Sequence, residues 1–127
     1  MKTTFYVALG GGMGSLCRYW LSSMAALCFG NSFPYGTLLV NILGSLLMGL
    51  LVVFNSTHHD NMAIVFRSLC LIGFLGGFTT FSAFSIETLT LLESGNITQA
   101  IGNVLLNVGL CLTAVWLGAS VGRSYFL

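Results

Sequence analysis

Charged residues are scarce in this chain. They make up 6% of its 127 residues, whereas 56% of the residues are apolar. Water-soluble domains carry roughly 25% charged residues, because a folded surface has to be hydrated. A chain with so few charges has no surface to present to water, and its composition therefore predicts an integral membrane protein.

Clusters of positive charge are also lacking, since the chain has only four Lys and Arg residues in total. Nucleic-acid binding requires clustered basic side chains to neutralise phosphates, and we exclude that class. The cysteines lie far apart in apolar stretches and match no metal-binding spacing. They are Cys17, Cys28, Cys70 and Cys111.

Paired carboxylates are missing too, and we expect no enzymatic activity. The one group of possible metal ligands, His58, His59 and Asp60, belongs to the polar loop 55–61. A solvated loop is the preferred interpretation of this group over a metal site.

Proline is nearly absent: the only one, Pro34, lies in a turn between two long apolar stretches. About 20 apolar residues cross a bilayer as a helix, and a barrel would need alternating strands instead. The sequence thus predicts an all-α integral membrane protein with a single domain, 1–127, of four transmembrane helices. The predicted spans cover 4–29, 37–54, 62–92 and 97–121.

The third apolar stretch, at about 30 residues, is too long for one straight span. Gly76 and Gly77 near its centre are weak helix formers, and Thr79 and Thr80 follow them with β-branched side chains. We therefore predict a break near Gly76–Thr80. Freed carbonyls at such a break can hold a cation, and freed helix N-termini can face an anion.

Two ionisable side chains fall inside predicted spans, Arg18 in the first and Glu87 in the third. Each costs about 2.5–3.5 kcal/mol at the centre of a span unless it has a partner or a water-filled cavity. The two side chains pair with each other, or Arg18 reaches the headgroups, or Arg18 forms a positive vestibule that attracts anions. The sequence leaves these alternatives open.

Amide side chains are the other polar feature of the spans. Asn41 is alone on the second span, where an amide usually joins helices by hydrogen bonds but can also donate to a ligand. Asn103, Asn107 and Cys111 recur every four residues, which places them on one helix face and favours a narrow polar track. Thr113 lies off this row and is expected to bond its own helix backbone.

After the predicted break, two rings and two hydroxyls recur three residues apart, Phe81 with Phe84 and Ser82 with Ser85. Rings in a span usually serve packing. The edge of an aromatic ring is nevertheless positive, so rings beside hydroxyl and amide donors can form a water-poor site for a small anion.

At this point the sequence resembles a known family. "GFLGGFTTFSAFSIE" closely resembles the signature of the Fluc (CrcB) fluoride channels, and the resemblance continues in "GGGMGSLCRYW", "GTLLVNILGSLLMG" and "GNVLLN". It implies a multi-pass channel of the bacterial inner membrane that exports F⁻ passively. It also implies an antiparallel, dual-topology homodimer with two pores. Ala83 departs from the family motif, which often has threonine there.

The resemblance further implies roles for individual residues. Arg18 would form a vestibule, and the main-chain carbonyls of Gly76 and Thr79 would hold a structural Na⁺ at the dimer centre. The side chains implied to line the fluoride path are Phe81, Phe84, Asn41, Ser82, Asn103, Asn107 and Glu87.

Two rivals and one question of topology accompany this hypothesis. A small multidrug-type proton-coupled exporter has the same size, but such exporters use a buried glutamate in the first helix, where this chain has Arg18 and no acid. A non-transporting subunit would leave the break, rings and amide row unexplained together. Lys2, Arg67 and Arg123 would share one side of the membrane and favour cytoplasmic termini. The dual topology therefore depends on the resemblance.

Overall fold

The computed structural model describes residues 1–58 and 60–127, and every regular element in these ranges is helical. Three helices are long and continuous, and four shorter pieces follow one another in the third segment of the chain. The long helices are α1 (Lys2–Phe29), α2 (Tyr35–Ser56) and α6 (Ile97–Phe126). The shorter pieces are α3 (Asn61–Phe66), a π-helical segment (Arg67–Leu75), α4 (Gly76–Phe78) and α5 (Phe81–Glu93).

Three helical stretches of the described chain are long and apolar enough to cross a membrane: Tyr35–Ser56, Asn61–Glu93 and Ile97–Phe126. They contain 22, 33 and 30 residues, and a bilayer core of about 30 Å takes about 20 residues of helix. α1 has 28 residues and therefore the length of a span, but it is not one of these three apolar stretches. The all-helical membrane architecture agrees with the sequence, while a fourth span at α1 stays a prediction.

The predicted break in the third segment is present, and it lies at the threonines rather than at the glycines. Thr79 and Thr80 have extended backbones, with φ −76° and ψ 156° at Thr79 and φ −150° and ψ 109° at Thr80. Gly76 and Gly77 remain helical in α4. The Thr80 hydroxyl then accepts the Ala83 N–H at 3.2 Å, so Thr80 is the N-cap from which α5 starts.

Glycines allow α1 to lie close against the third segment. A Cβ at Gly10 would overlap the carbonyl oxygen of Leu69, and a Cβ at Gly14 would overlap that of Phe74. Both glycines are buried. Both positions therefore require glycine, because only a residue without a side chain leaves room for the neighbouring backbone.

α2 packs along α6 in the same way, with one glycine from each helix. A Cβ at Gly49 would overlap the Val115 carbonyl oxygen, and a Cβ at Gly118 would overlap the Leu46 carbonyl oxygen. The backbones of α2 and α6 therefore lie in direct contact. This close approach brings Asn41 of α2 and the amide row of α6 onto facing surfaces.

Replacing Gly14 with alanine is expected to destabilise the protein by about 1–3 kcal/mol, because the new methyl group meets a backbone atom that cannot rotate away. Gly12→Ala on the same helix is the matched control, since nothing lies within 4 Å of the position of its Cβ. Thermal unfolding in detergent compares the two variants. Equal melting temperatures would contradict the close packing of α1 on the third segment.

Candidate functional site

The helix break lies against Asn41 from the N-terminal half of α2. Asn41 Oδ1 accepts the Thr80 N–H at 2.8 Å, and Asn41 Nδ2 donates to the Thr80 carbonyl oxygen at 3.1 Å. A peptide N–H can only donate, so the atom facing it must be the amide oxygen, and this fixes the orientation of the Asn41 side chain. One amide group thus satisfies both backbone groups of Thr80, which a membrane interior would otherwise leave unpaired.

From Asn41 the hydrogen bonds continue into α6. Asn41 Nδ2 donates to Asn107 Oδ1 at 3.0 Å, and Asn107 Nδ2 donates to Asn103 Oδ1 at 2.8 Å and to the Asn103 carbonyl at 3.2 Å. Asn103 is 0% exposed and Asn107 is 5% exposed. We call Asn41, Asn107 and Asn103 the amide relay. The predicted common face of Asn103 and Asn107 is confirmed, and the two side chains are bonded to each other.

The relay ends on α5, at a residue that the sequence analysis does not single out. Asn103 Nδ2 donates to Thr88 Oγ1 at 2.9 Å, and Thr88 Oγ1 donates to the Phe84 carbonyl oxygen at 2.7 Å. A continuous series of hydrogen bonds therefore joins the break at Thr80 to the backbone of α5 one turn further on.

Both amide hydrogens of Asn41 are already used in hydrogen bonds to the protein. Its Nδ2 group faces two protein oxygens, the Thr80 carbonyl and Asn107 Oδ1. The structure thus shows the helix-joining function of Asn41, one of the two alternatives that the sequence leaves open. A donation from Asn41 to an ion requires that one of these two acceptors be displaced.

An open-sided groove of about 450 Å³ passes the break and runs between α2 and α6. Both rings of the predicted pair, Phe81 and Phe84, line it together with one member of the relay from each of these helices. Its polar lining comes from Asn41, Ser45, Thr79, Thr80, Asn107 and Cys111. The groove therefore combines aromatic edges, amides and hydroxyls on one surface.

The two rings differ sharply in exposure. Their centroids are 5.2 Å apart, yet Phe84 is 8% exposed and Phe81 is 76% exposed. The Ser82 hydroxyl lies 3.3 Å from Thr80 Oγ1 at the break, whereas the Ser85 hydroxyl donates to the Phe81 carbonyl of its own helix at 2.9 Å. Of the two predicted hydroxyls, Ser82 is the one placed at the break.

Glu87 and Arg18 do not form the ion pair that was one alternative from the sequence. Glu87 Oε1 accepts a hydrogen bond from the buried Thr37 hydroxyl at 2.7 Å. Its other oxygen, Oε2, is buried and has no partner among the described residues. Arg18 is half-buried on α1.

The break frees main-chain carbonyls, as predicted. In a continuous helix the Thr80 N–H would donate to the carbonyl of Gly76, four residues earlier, but here it donates to Asn41. The extended backbone of Thr79 turns its own carbonyl out of the helical hydrogen-bond pattern. Gly76 is exposed, and nothing lies within 4 Å of the position of a Cβ there. Carbonyl oxygens outside the helical hydrogen-bond pattern are ligands of the kind that fits a small hard cation.

Two predictions about other polar residues remain, one for Thr113 and one for the loop 55–61. The Thr113 hydroxyl donates to the Gly109 carbonyl at 2.8 Å, which confirms that it bonds its own helix. In the loop, Asp60 caps α3 by accepting the Ala63 N–H at 2.9 Å. His59 lies outside the described residues, and no group of three metal-binding side chains occurs in the rest of the chain.

Comparisons with known proteins agree with the sequence motifs. Residues 5–119 match the family described as "CrcB-like protein, Camphor Resistance (CrcB)". A protein of Coxiella burnetii named fluoride-specific ion channel FluC is 51% identical over 117 residues, which is 92% of this chain and 94% of the relative. The proteins of the same name from Citrifermentans bemidjiense and Shewanella pealeana are 49% identical over 124 residues and 44% identical over 126 residues. These two matches span 98% and 99% of this chain and 99% and 100% of the relatives. Because the family match covers most of the chain and these relatives are 44–51% identical over at least 92% of it, the chain belongs to the CrcB family.

Proposed function

We propose that this protein is a fluoride-specific ion channel through which F⁻ leaves the bacterial cytoplasm down its gradient. The relatives carry that name. The structural observation that carries the proposal is the groove in which a helix break, two phenyl rings and the amide relay meet. Fluoride is a strongly hydrated anion that only accepts hydrogen bonds, so a path for it must replace water with donors.

In this proposal the ion moves past Phe81 and Phe84 and accepts hydrogen bonds from one donor after another. Ser82 and the amides of Asn41 and Asn107 are the donors, Asn103 holds the Asn107 amide from behind, and the positive ring edges of the phenylalanines complete the surface. Because Asn41 already donates to Asn107 at 3.0 Å, fluoride would take the place of the Asn107 oxygen as acceptor. Such an exchange keeps the Asn41 hydrogen paired in a water-poor site, where an unpaired donor would carry a desolvation cost.

The proposed channel is an antiparallel homodimer with two pores in the inner membrane, and α1 is its fourth span. The groove supports a second copy, because it is open along one side and cannot by itself enclose an ion that has lost its water. Phe81 also lies 76% exposed at its edge. Arg18 would make the vestibule positive, and Glu87, held by Thr37, would stand beside the path.

A sodium ion at the dimer centre belongs to the same proposal, with the carbonyls of Gly76 and Thr79 as its ligands. The diverted Thr80 N–H and the open space beside Gly76 support this fit. When bound, the ion supplies a fixed positive charge that raises the affinity for an anion nearby.

The function is tested with purified protein in liposomes loaded with fluoride or chloride. We expect an ion-selective electrode to record fluoride release, while chloride release stays at the level of protein-free liposomes. Equal chloride flux, or no flux of either ion, would contradict the proposal. Fluoride movement that needs an imposed proton gradient would instead favour an exporter, an alternative that α1 does not favour because it contains no acidic residue.

A further inference from the structure

Thr88 is the point where the amide relay meets α5. Its hydroxyl accepts from Asn103 Nδ2 at 2.9 Å and donates to the Phe84 carbonyl at 2.7 Å. A hydroxyl can accept and donate at the same time, whereas no apolar side chain of this size can do either. Thr88 therefore accepts the hydrogen bond from the last amide of the relay and donates a hydrogen bond to the backbone of α5, the helix that carries the rings.

The direction of every bond in the relay follows from one peptide group. The Thr80 N–H must face Asn41 Oδ1, so Asn41 Nδ2 must face Asn107. Asn107 consequently presents its oxygen to Asn41 and its Nδ2 to Asn103. This leaves Asn103 Nδ2 directed towards Thr88, where an acceptor is required.

We propose that Thr88 is a positioning residue for ion conduction, acting through Asn103. By accepting from Asn103, it keeps the amides of the relay directed from the break towards α5. The proposal rests on the proposed function, since it assigns a task to the relay, two members of which, Asn41 and Asn107, line the groove. Thr88 itself does not line the groove.

The need for an acceptor is strict because Asn103 is 0% exposed. If Thr88 lost its hydroxyl, the Asn103 amide would be left with an unpaired donor or would rotate to relieve it. A rotated Asn103 would present Nδ2 to Asn107 Nδ2, so two donors would meet. The disturbance would then pass to Asn107 and Asn41, which are the relay members at the groove.

The experiment separates the shape of residue 88 from its hydroxyl. Thr88→Val preserves the shape of the side chain and removes the hydroxyl, whereas Thr88→Ser keeps the hydroxyl and removes the methyl group. Thr88→Cys keeps a side chain of similar size with a thiol, which forms only weak hydrogen bonds. We expect fluoride flux in liposomes to fall about tenfold in Thr88→Val, because a buried N–H loses its acceptor, and to be restored in Thr88→Ser. Thr88→Cys should lie between them.

Thr90→Val is the matched control on the same helix. Thr90 makes the same kind of local bond, to the Ile86 carbonyl at 2.9 Å, but is exposed and touches no amide of the relay. Its flux should equal that of the wild type. Equal flux in Thr88→Val and Thr88→Ser, or an equal loss in Thr90→Val, overturns the proposal.

Two further outcomes are also decisive. If Thr88→Val does not fold, the comparison of Ser with Cys replaces it, and equal flux in these two variants likewise overturns the positioning role. A wild-type protein that passes no fluoride in the same liposomes rejects the proposed function itself, which distinguishes that failure from a failure at Thr88.

Discussion

Asn41→Asp is expected to lower fluoride flux by about 100-fold or more. Aspartate has almost the shape of asparagine and still offers an oxygen to the Thr80 N–H. It has no N–H group, so a carboxylate oxygen would face the Thr80 carbonyl and Asn107 Oδ1, which now receive hydrogen bonds at 3.1 and 3.0 Å. Two hydrogen bonds become two contacts between acceptors, and a negative charge is added to the path of an anion.

The magnitude follows from the burial of these partners. Asn107 is 5% exposed and Thr80 is 8% exposed, so neither can recover its lost bond from solvent. A buried carboxylate that faces two acceptors is an uncompensated charge, which costs about 3–5 kcal/mol and corresponds to a flux reduction of 100-fold or more.

The comparison requires a variant with the same chemical change away from the site. Asn31→Asp provides it, because Asn31 is exposed in the turn between α1 and α2. Fluoride release from liposomes is measured for both variants at equal protein density. Wild-type flux in Asn41→Asp would refute the bidentate contact with Thr80, and an equal loss in Asn31→Asp would assign the effect to added charge in general.

The break shows how far sequence reasoning extends in this protein. The stretch "GFLGGFTTFSAFS" predicts an interruption, but local propensity points to Gly76 and Gly77 as strongly as to the threonines. In the structure the glycines are helical, and Gly77 lies against the backbone of Gly11, where a Cβ would be 2.5 Å from the carbonyl oxygen. The interruption falls where Asn41 takes both backbone groups of Thr80, a contact between residues 39 positions apart.

For the candidate site, the sequence likewise predicts the features within one helix but not the contacts between helices. Spacing alone places Asn103 and Asn107 on one face of α6, because helix geometry fixes which residues share a face. Their bonds to Asn41 and Thr88 depend on how three helices pack, and a threonine such as Thr88 usually indicates no more than a bond to its own helix. The π-helical segment Arg67–Leu75 is likewise absent from the sequence-based prediction.

Phe81→Ile is expected to reduce fluoride flux about tenfold while leaving the stability of the fold unchanged, since an interaction with an aromatic ring edge contributes up to about 1.5 kcal/mol. Phe81 is 76% exposed on the protomer, so its ring contributes little to packing there. Isoleucine keeps the apolar character and most of the volume but lacks the positive ring edge. A loss of flux at this position therefore reports on the path of the ion.

Phe84→Ile provides the contrast, because the ring of Phe84 is 8% exposed. We expect it to lose both flux and thermal stability, since a buried side chain is replaced by one of different shape. Fluoride release and melting temperature are measured for both variants, and size-exclusion chromatography checks that the oligomeric state is unchanged.

Phe5→Ile on α1 controls for the loss of an exposed ring, since Phe5 is 64% exposed and lies on another helix. Its flux should match the wild type. If Phe81→Ile conducts normally, the ring does not line the path and the groove must carry the ion by its amides alone. If Phe5→Ile loses as much flux as Phe81→Ile, the effect belongs to exposed rings in general. Only a loss confined to Phe81, at constant stability, places an aromatic edge beside the moving anion.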